Sequence, residues 1–130
     1  MILDTTFLVD LMKGEQAAIV RARRIEREAT PVRIPAPALF ELWRGVHLAS
    51  RTAEEEEKVV RLLSLYPSAA FDADAAARGG EVDALLLRRG APLDPEDAMI
   101  AGIALARTEP LLTRNVRNFS RVPGLRVEPY

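Results

Sequence analysis

The chain of 130 residues contains no cysteine. Disulfides, thiolate metal sites and cysteine nucleophiles are therefore excluded together, and a reducing cytoplasm is the expected compartment. There is no apolar run of about 18 residues, so no membrane span is expected. No basic start leads into an apolar stretch, so nothing suggests secretion. Histidine occurs once, at His47, and lysine only at Lys13 and Lys58 among 18 basic residues.

What remains is ordinary for one globular domain covering residues 1–130, with 48% hydrophobic and 28% charged residues and a net charge of −1. A domain of this length buries roughly two thirds of its unfolded surface. The net charge gives no hint of nucleic acid, but its distribution is uneven. From Arg107 to Val127 the chain holds Arg107, Arg114, Arg117, Arg121 and Arg126 against Glu109 alone. Arginine suits bidentate phosphate contact better than lysine does, although genome base composition produces the same bias.

The chain is organised around Met1-Ile-Leu-Asp-Thr-Thr-Phe-Leu-Val-Asp10. Ile2 and Leu3 read as a very short strand. Asp4 falls at its end, and Thr5 or Thr6 offers a hydroxyl to cap a helix with Phe7, Leu8, Leu11 and Met12 as apolar positions. Open α/β sheets place their ligands at the carboxyl ends of strands, so Asp4 is either a turn residue or a site carboxylate. Lys13-Gly14 stops the helix. Residues 15–29 read as a second helix with Ile19, Val20 and Ile25 apolar, and Val32-Arg-Ile34 as a second strand.

Pro37 is suited to open the next helix, whose Leu39, Leu42, Trp43 and Val46 form its buried stripe. Glu41 points almost opposite that stripe, flanked one turn away by the small residues Ala38 and Gly45, so close approach by chain or ligand is possible. His47, beside Trp43, reads as packing. Thr52-Ala-Glu-Glu55 is a capping box for a helix to about Tyr66, which makes the glutamate run structural. Residues 68–71 read as a third strand. Asp72 or Asp74 caps a helix over 73–89, in which Gly79-Gly80 suggests close packing against a neighbour.

Asp94-Pro95 reads as an N-cap and N1 pair. Asp97 then lies in the first turn, where free N–H groups and the helix dipole favour negative charge. The small and apolar residues from Ala98 to Leu105 demand burial of that helix. Leu111 to Asn115 is a strand ending in polar residues, followed by a loop over 116–124 and a last strand near 125–127. Strands alternating with helices predict an α/β fold whose parallel sheet is covered on both faces.

In a parallel sheet, Asp4 and the 113–115 segment share one edge with the helix starts that carry Glu41 and Asp97. Three carboxylates from distant segments then meet in one place, which raises at least one pKa unless a cation offsets them. Oxygen ligands without cysteine or a placed histidine suit Mg²⁺ or Mn²⁺. Such an ion binds phosphate oxygens and lowers the pKa of an attacking water, which is the chemistry of phosphodiester hydrolysis.

The first ten residues, Glu41-Leu-Trp-Arg-Gly45, Asp97 to Leu105 and Leu112-Thr-Arg-Asn-Val-Arg-Asn-Phe119 together resemble PIN-domain proteins, and among these the VapC-type toxin ribonucleases of toxin–antitoxin pairs. The resemblance covers nearly the whole chain and keeps the family's motif order. It implies a three-layer α/β/α fold and Mg²⁺- or Mn²⁺-dependent endonucleolytic cleavage of RNA. It also implies a homodimer and a VapB-like antitoxin. Asp4, Glu41 and Asp97 match the family's metal-holding acids, and Thr113 the hydroxyl residue beside them. Asn115 or Asn118 stands where many members carry a fourth acid, an amide able to position water. Arg114 and Arg117 are the nearest candidates for holding the RNA backbone.

A haloacid-dehalogenase-type phosphatase also starts with a strand ending in aspartate, but it needs a second aspartate where Thr6 stands and a late lysine, and no lysine follows Lys58. A Rossmann or P-loop protein needs a glycine-rich turn after its first strand, and Thr5-Thr6-Phe7 is not one. The alternative of another class is a PIN-like module that binds RNA or protein without cutting.

Overall fold

Each strand of the chain contributes only two residues to its ladder, so helices dominate the architecture. In the computed structural model, which describes all of residues 1–130, the order begins β1 (Ile2–Leu3), α1 (Thr5–Lys13), α2 (Gln16–Arg27), β2 (Ile34–Pro35), α3 (Ala36–Leu48), α4 (Thr52–Leu65) and β3 (Ser68–Ala69). It continues with α5 (Ala73–Arg88), α6 (Pro95–Arg107), β4 (Leu111–Leu112), α7 (Val116–Phe119) and β5 (Val127–Glu128). β1 pairs in parallel with β4, and β4 with β5. β2 pairs in parallel with β3. A single parallel bridge between Ile2 and Arg33 joins the two pieces, giving the sequence β3-β2-β1-β4-β5 across the molecule.

Neighbouring residues of a strand point to opposite faces. Ile2, Leu3, Leu111 and Leu112 are all completely buried, so both faces of the central strands are covered by helices, as parallel sheets require. Because every pairing is parallel, all strands end along one edge. β1 delivers Asp4 to that edge, β2 leads directly into α3, and β4 ends at Thr113. α6 runs into β4, so it descends against the strand direction and starts at the same edge. The α/β reading of the sequence is the fold observed.

α5 and α6 form the most extensive helix pair, and glycines make it possible. A Cβ on Gly102 would lie 2.4 Å from the Ala75 carbonyl oxygen and 2.7 Å from the Gly79 nitrogen, and one on Gly79 would lie 3.0 Å from the Ala98 carbonyl oxygen. The close packing expected of Gly79-Gly80 therefore belongs to Gly79; a Cβ on Gly80 would meet nothing.

Local details depart from the sequence reading for identifiable reasons. Asp4, not a threonine, holds the N-cap position of α1, and no side chain caps that helix; the threonine hydroxyls are engaged elsewhere. The capping box at Thr52 does not form, because Thr52 is already inside α4 and its hydroxyl donates backward to the Ala49 carbonyl. Asp94 occupies the N-cap of α6 without a capping bond. Asp72 does cap α5, accepting from the Ala75 N–H at 2.9 Å. Val20 is 54% exposed, and Ala18 takes the buried place on α2. Leu39 and Trp43 are only partly buried, Pro37 is the second helical residue of α3, and the expected loop after Asn115 holds the short helix α7. His47 is exposed and stacks on Trp43 with ring centres 6.5 Å apart.

Gly102→Ala is expected to destabilise the fold by about 1–3 kcal/mol or more, since only backbone stands in the way of the new methyl. Gly80→Ala is expected to stabilise it by about 0.5–1 kcal/mol through helix propensity. Urea unfolding of the two variants against the parent checks both signs.

Candidate functional site

Asp4 is almost completely buried, and its Oδ2 is held by two hydroxyls. Thr113 donates to it at 2.6 Å and Thr6 at 2.7 Å, while Oδ1 accepts no hydrogen bond from the protein. Thr113 is itself completely buried at the end of β4 and accepts from the Asn115 N–H at 2.9 Å. Thr6 also accepts from the Arg114 N–H at 3.1 Å. The strand ends of β1 and β4 are thus stitched together by hydroxyls that converge on one carboxylate oxygen.

Glu41, on the second turn of α3, accepts from the Thr5 hydroxyl at 3.0 Å. Burial raises its pKa, Thr5 partly offsets this, and Asp4 and Glu96 push it further up against the nearby Arg44. A groove of about 260 Å³ opens beside Glu41, with Val9, Met12 and Gly45 in its wall. Gly45 has open space where a Cβ would stand, so the close access read from the small neighbours of Glu41 exists on that side; Ala38 is buried in the core.

Asp97 is the most perturbed acid. Burial first, and then the charges of Asp4 and Glu41, raise its pKa from the ordinary 3.8 to about 7. Its place in the first turn of α6 favours the charged form, but the neighbouring acids and lost hydration outweigh the dipole. Its carboxylate makes no hydrogen bond to the protein, and no cation acts to lower its pKa. Asp4, Glu41 and Asp97 therefore act on one another electrostatically, although no three Asp, Glu or His side chains close into a chelating cluster.

The chemistry of this donor set fits a hard divalent cation. Its side-chain donor atoms are oxygens only, one Asp4 oxygen is free of hydrogen bonds, and no salt bridge reaches any of the three acids. Mg²⁺ keeps several waters when bound, so it does not require all three carboxylates in direct contact.

The PIN-domain model matches residues 1–125 of the chain. The chain belongs to the PIN-domain family. The proteins named tRNA(fMet)-specific endonuclease VapC from Salmonella typhimurium and Shigella flexneri are 30% and 31% identical to it over 128 residues, 98% of this chain and 96% of each relative. The crystal structure of VapBC2 from Rickettsia felis bound to a DNA fragment from its promoter superposes with a TM-score of 0.92 at 25% identity, covering 99% of this chain and 97% of that one.

Within this PIN domain the other nominated residues take distinct positions. Asn115 begins α7 half-buried, and Asn118 accepts from Arg121 at 3.4 Å. Arg117 is exposed. Arg114 is not a free surface cation: its Nη1 is 2.9 Å from Asp10 Oδ1. Asp10 escaped the sequence reading, as did the engagement of Thr6 with Asp4. The period of α1 offered a signal for Asp10, which lies one turn beyond Thr6 and only two residues from the buried Leu8.

The raised pKa of Asp97 has a consequence for stability. The folded chain keeps its proton to about pH 7, whereas the unfolded chain loses it near 3.8. Asp97's contribution to the stability of the metal-free protein is therefore full below about pH 4 and is lost as pH rises to 7. Asp97→Asn is expected to flatten that decline and raise the melting temperature at pH 8, as thermal melts across pH 4–8 in EDTA would register.

Proposed function

We propose that this PIN domain is a divalent-metal-dependent endoribonuclease, the toxin of a toxin–antitoxin pair, that hydrolyses RNA phosphodiester bonds. The observation that carries the reading is Asp97, its pKa raised to about 7 by burial and by the charges of Asp4 and Glu41, with none of the three acids in a salt bridge. The names of its full-length VapC relatives support the substrate class. The VapBC complexes among its structural neighbours support a VapB-like antitoxin as partner. A homodimer and a cytoplasmic setting belong to the same reading, since RNA and partner are met there.

Asp4, Glu41 and Asp97 would hold Mg²⁺ or Mn²⁺, which supplies positive charge against the scissile phosphate and a stronger water nucleophile. The protein does the rest. Thr6 and Thr113 hold Oδ2 of Asp4 and so fix the direction of Oδ1. Asn115, beside Thr113, offers an amide for orienting water. Arg114, whose backbone is tied to Thr6, and the exposed Arg117 would take backbone phosphates. The family resemblance implies a fourth acid at Asn115 or at Asn118; both are asparagine, which favours a second reading: a module that binds RNA or protein without cutting.

Incubating the pure protein with RNA and Mg²⁺ or Mn²⁺ separates the two. Cleavage that stops in EDTA and falls by more than a hundredfold in Asp97→Asn is expected. RNA binding without cleavage at any metal concentration would establish the second reading instead.

A further inference from the structure

Of the five arginines from Arg107 to Arg126, three are absorbed by the protein's own architecture. Arg107 pairs with Glu109 at 2.8 Å, Arg121 donates to the Ala91 carbonyl at 2.7 Å, and Arg126 donates to the Thr108 carbonyl at 3.1 Å. Arg114 is held differently. Its Nη1 spans both oxygens of Asp10, 2.9 Å from Oδ1 and 2.8 Å from Oδ2. Its Nε and Nη2 make no hydrogen bond to the protein, and the side chain is 63% exposed. That remaining edge is the planar fork that grips two oxygens of one phosphate.

The anchor is braced from behind. Asp10 is buried, with 5% of its side chain exposed, and its Oδ2 accepts from the Tyr130 hydroxyl at 2.7 Å. The Tyr130 ring packs edge-on against the buried Phe7, centres 5.0 Å apart. Burial and the Asp10 carboxylate push the Tyr130 pKa well up, so the phenol stays a donor. At its other end, the Arg114 backbone N–H is tied to Thr6, which donates to Asp4. Backbone and guanidinium are thus fixed separately, at Thr6 and at Asp10, one turn apart on α1. Arg114 takes no part in lowering the pKa of Glu41 or Asp97. Asp10 therefore holds the guanidinium by Nη1 and leaves its Nε–Nη2 edge available to another anion.

We infer that Asp10, braced by Tyr130, is a positioning residue that presents the open edge of Arg114 to a backbone phosphate of RNA flanking the acidic site. The inference rests on the ribonuclease reading. A simple latch between Tyr130 and α1 would need neither the arginine nor its single-nitrogen attachment.

The test measures binding of a fluorescein-labelled single-stranded RNA by anisotropy, in full-length protein carrying Asp97→Asn to prevent cleavage. Asp10→Asn is expected to weaken binding about tenfold, although it removes a negative charge. Arg114→Gln is expected to weaken it similarly and to reduce the salt slope by about one. The Asp10→Asn/Arg114→Gln pair is expected to be no weaker than Arg114→Gln alone, because both act through one contact. Arg114→Lys should not restore affinity, and Tyr130→Phe should give a smaller loss in the same direction. Unchanged or tighter binding by Asp10→Asn, or full affinity in Arg114→Gln, overturns the positioning role. Should Asp10→Asn fail to fold, Tyr130→Phe decides by the same criterion. An unmutated protein that neither binds nor cleaves RNA overturns the ribonuclease reading as well, a result distinct from intact binding and cleavage that ignore Asp10.

Discussion

Like charges held together without a counter-ion govern this molecule. Asp4, Glu41 and Asp97 arrive from three separate chain segments, and each is met by hydroxyls or by nothing, never by a paired lysine or arginine. A hydroxyl satisfies a carboxylate's lone pairs without cancelling its charge. The edge therefore stays strongly negative while its geometry is fixed. That combination favours a multivalent cation over a proton relay or a bound anion. The cations follow the opposite distribution. Arg33 and Arg107 gather on Glu109, and Arg21 on Glu128, around a polar cavity of about 570 Å³ that also includes Met1 and Pro110. Met1, Arg33, Glu109 and Pro110 lie at or just before the starts of β1, β2 and β4, at the edge away from Asp4, and there the charges are paired.

Much of this was legible in the sequence because it depends on order and period. Short apolar runs alternating with amphipathic segments specify a parallel sheet, and a parallel sheet brings the ends of β1 and β4 to one edge whatever the loop details. Asp4, Thr113 and the start of α6 are placed by that argument alone. The apolar, small-residue α6 announced its own burial, and Gly79 its close contact. Capping was less legible. Thr52 and Asp94 have the right side chains in the right sequence context, but a shift of one residue at a helix start, or a hydroxyl drawn to another acceptor, removes the bond. Thr5 and Thr6 show the competition directly: their hydroxyls go to Glu41 and Asp4 because buried carboxylates bind a donor more strongly than a neutral backbone group does.

Asp10 and Arg114 mark the limit of reading along the chain. Charge counting placed five arginines in the last quarter and treated them alike, whereas their three-dimensional partners divide them into structural braces and open cations. Which is which depends on contacts such as that between residues 10 and 114, or 91 and 121, which no local pattern encodes. Single-sequence arguments find where charge is dense; they do not find which nitrogen is already bound.

A repulsive site also has to be kept from relaxing. Asp97 would gain by moving toward solvent, and a helix start is where such motion is easiest. Two features oppose it. The body of α6 is locked from Ala98 to Ala104 by burial, with Gly102 fitted against the backbone of α5 so tightly that sliding along or rolling about its axis meets main-chain atoms. The loop ahead of α6 is tied by Arg121, which bonds the Ala91 carbonyl and the Asn118 segment together. Tight glycine packing far from the acids is therefore part of the site's electrostatics: it makes the carboxylates stay where their charges cost stability, and the cation proposed above would recover what their repulsion removes. Loosening α5 against α6 would relieve the acids and, by the same step, undo the charge density that the proposed cation site depends on.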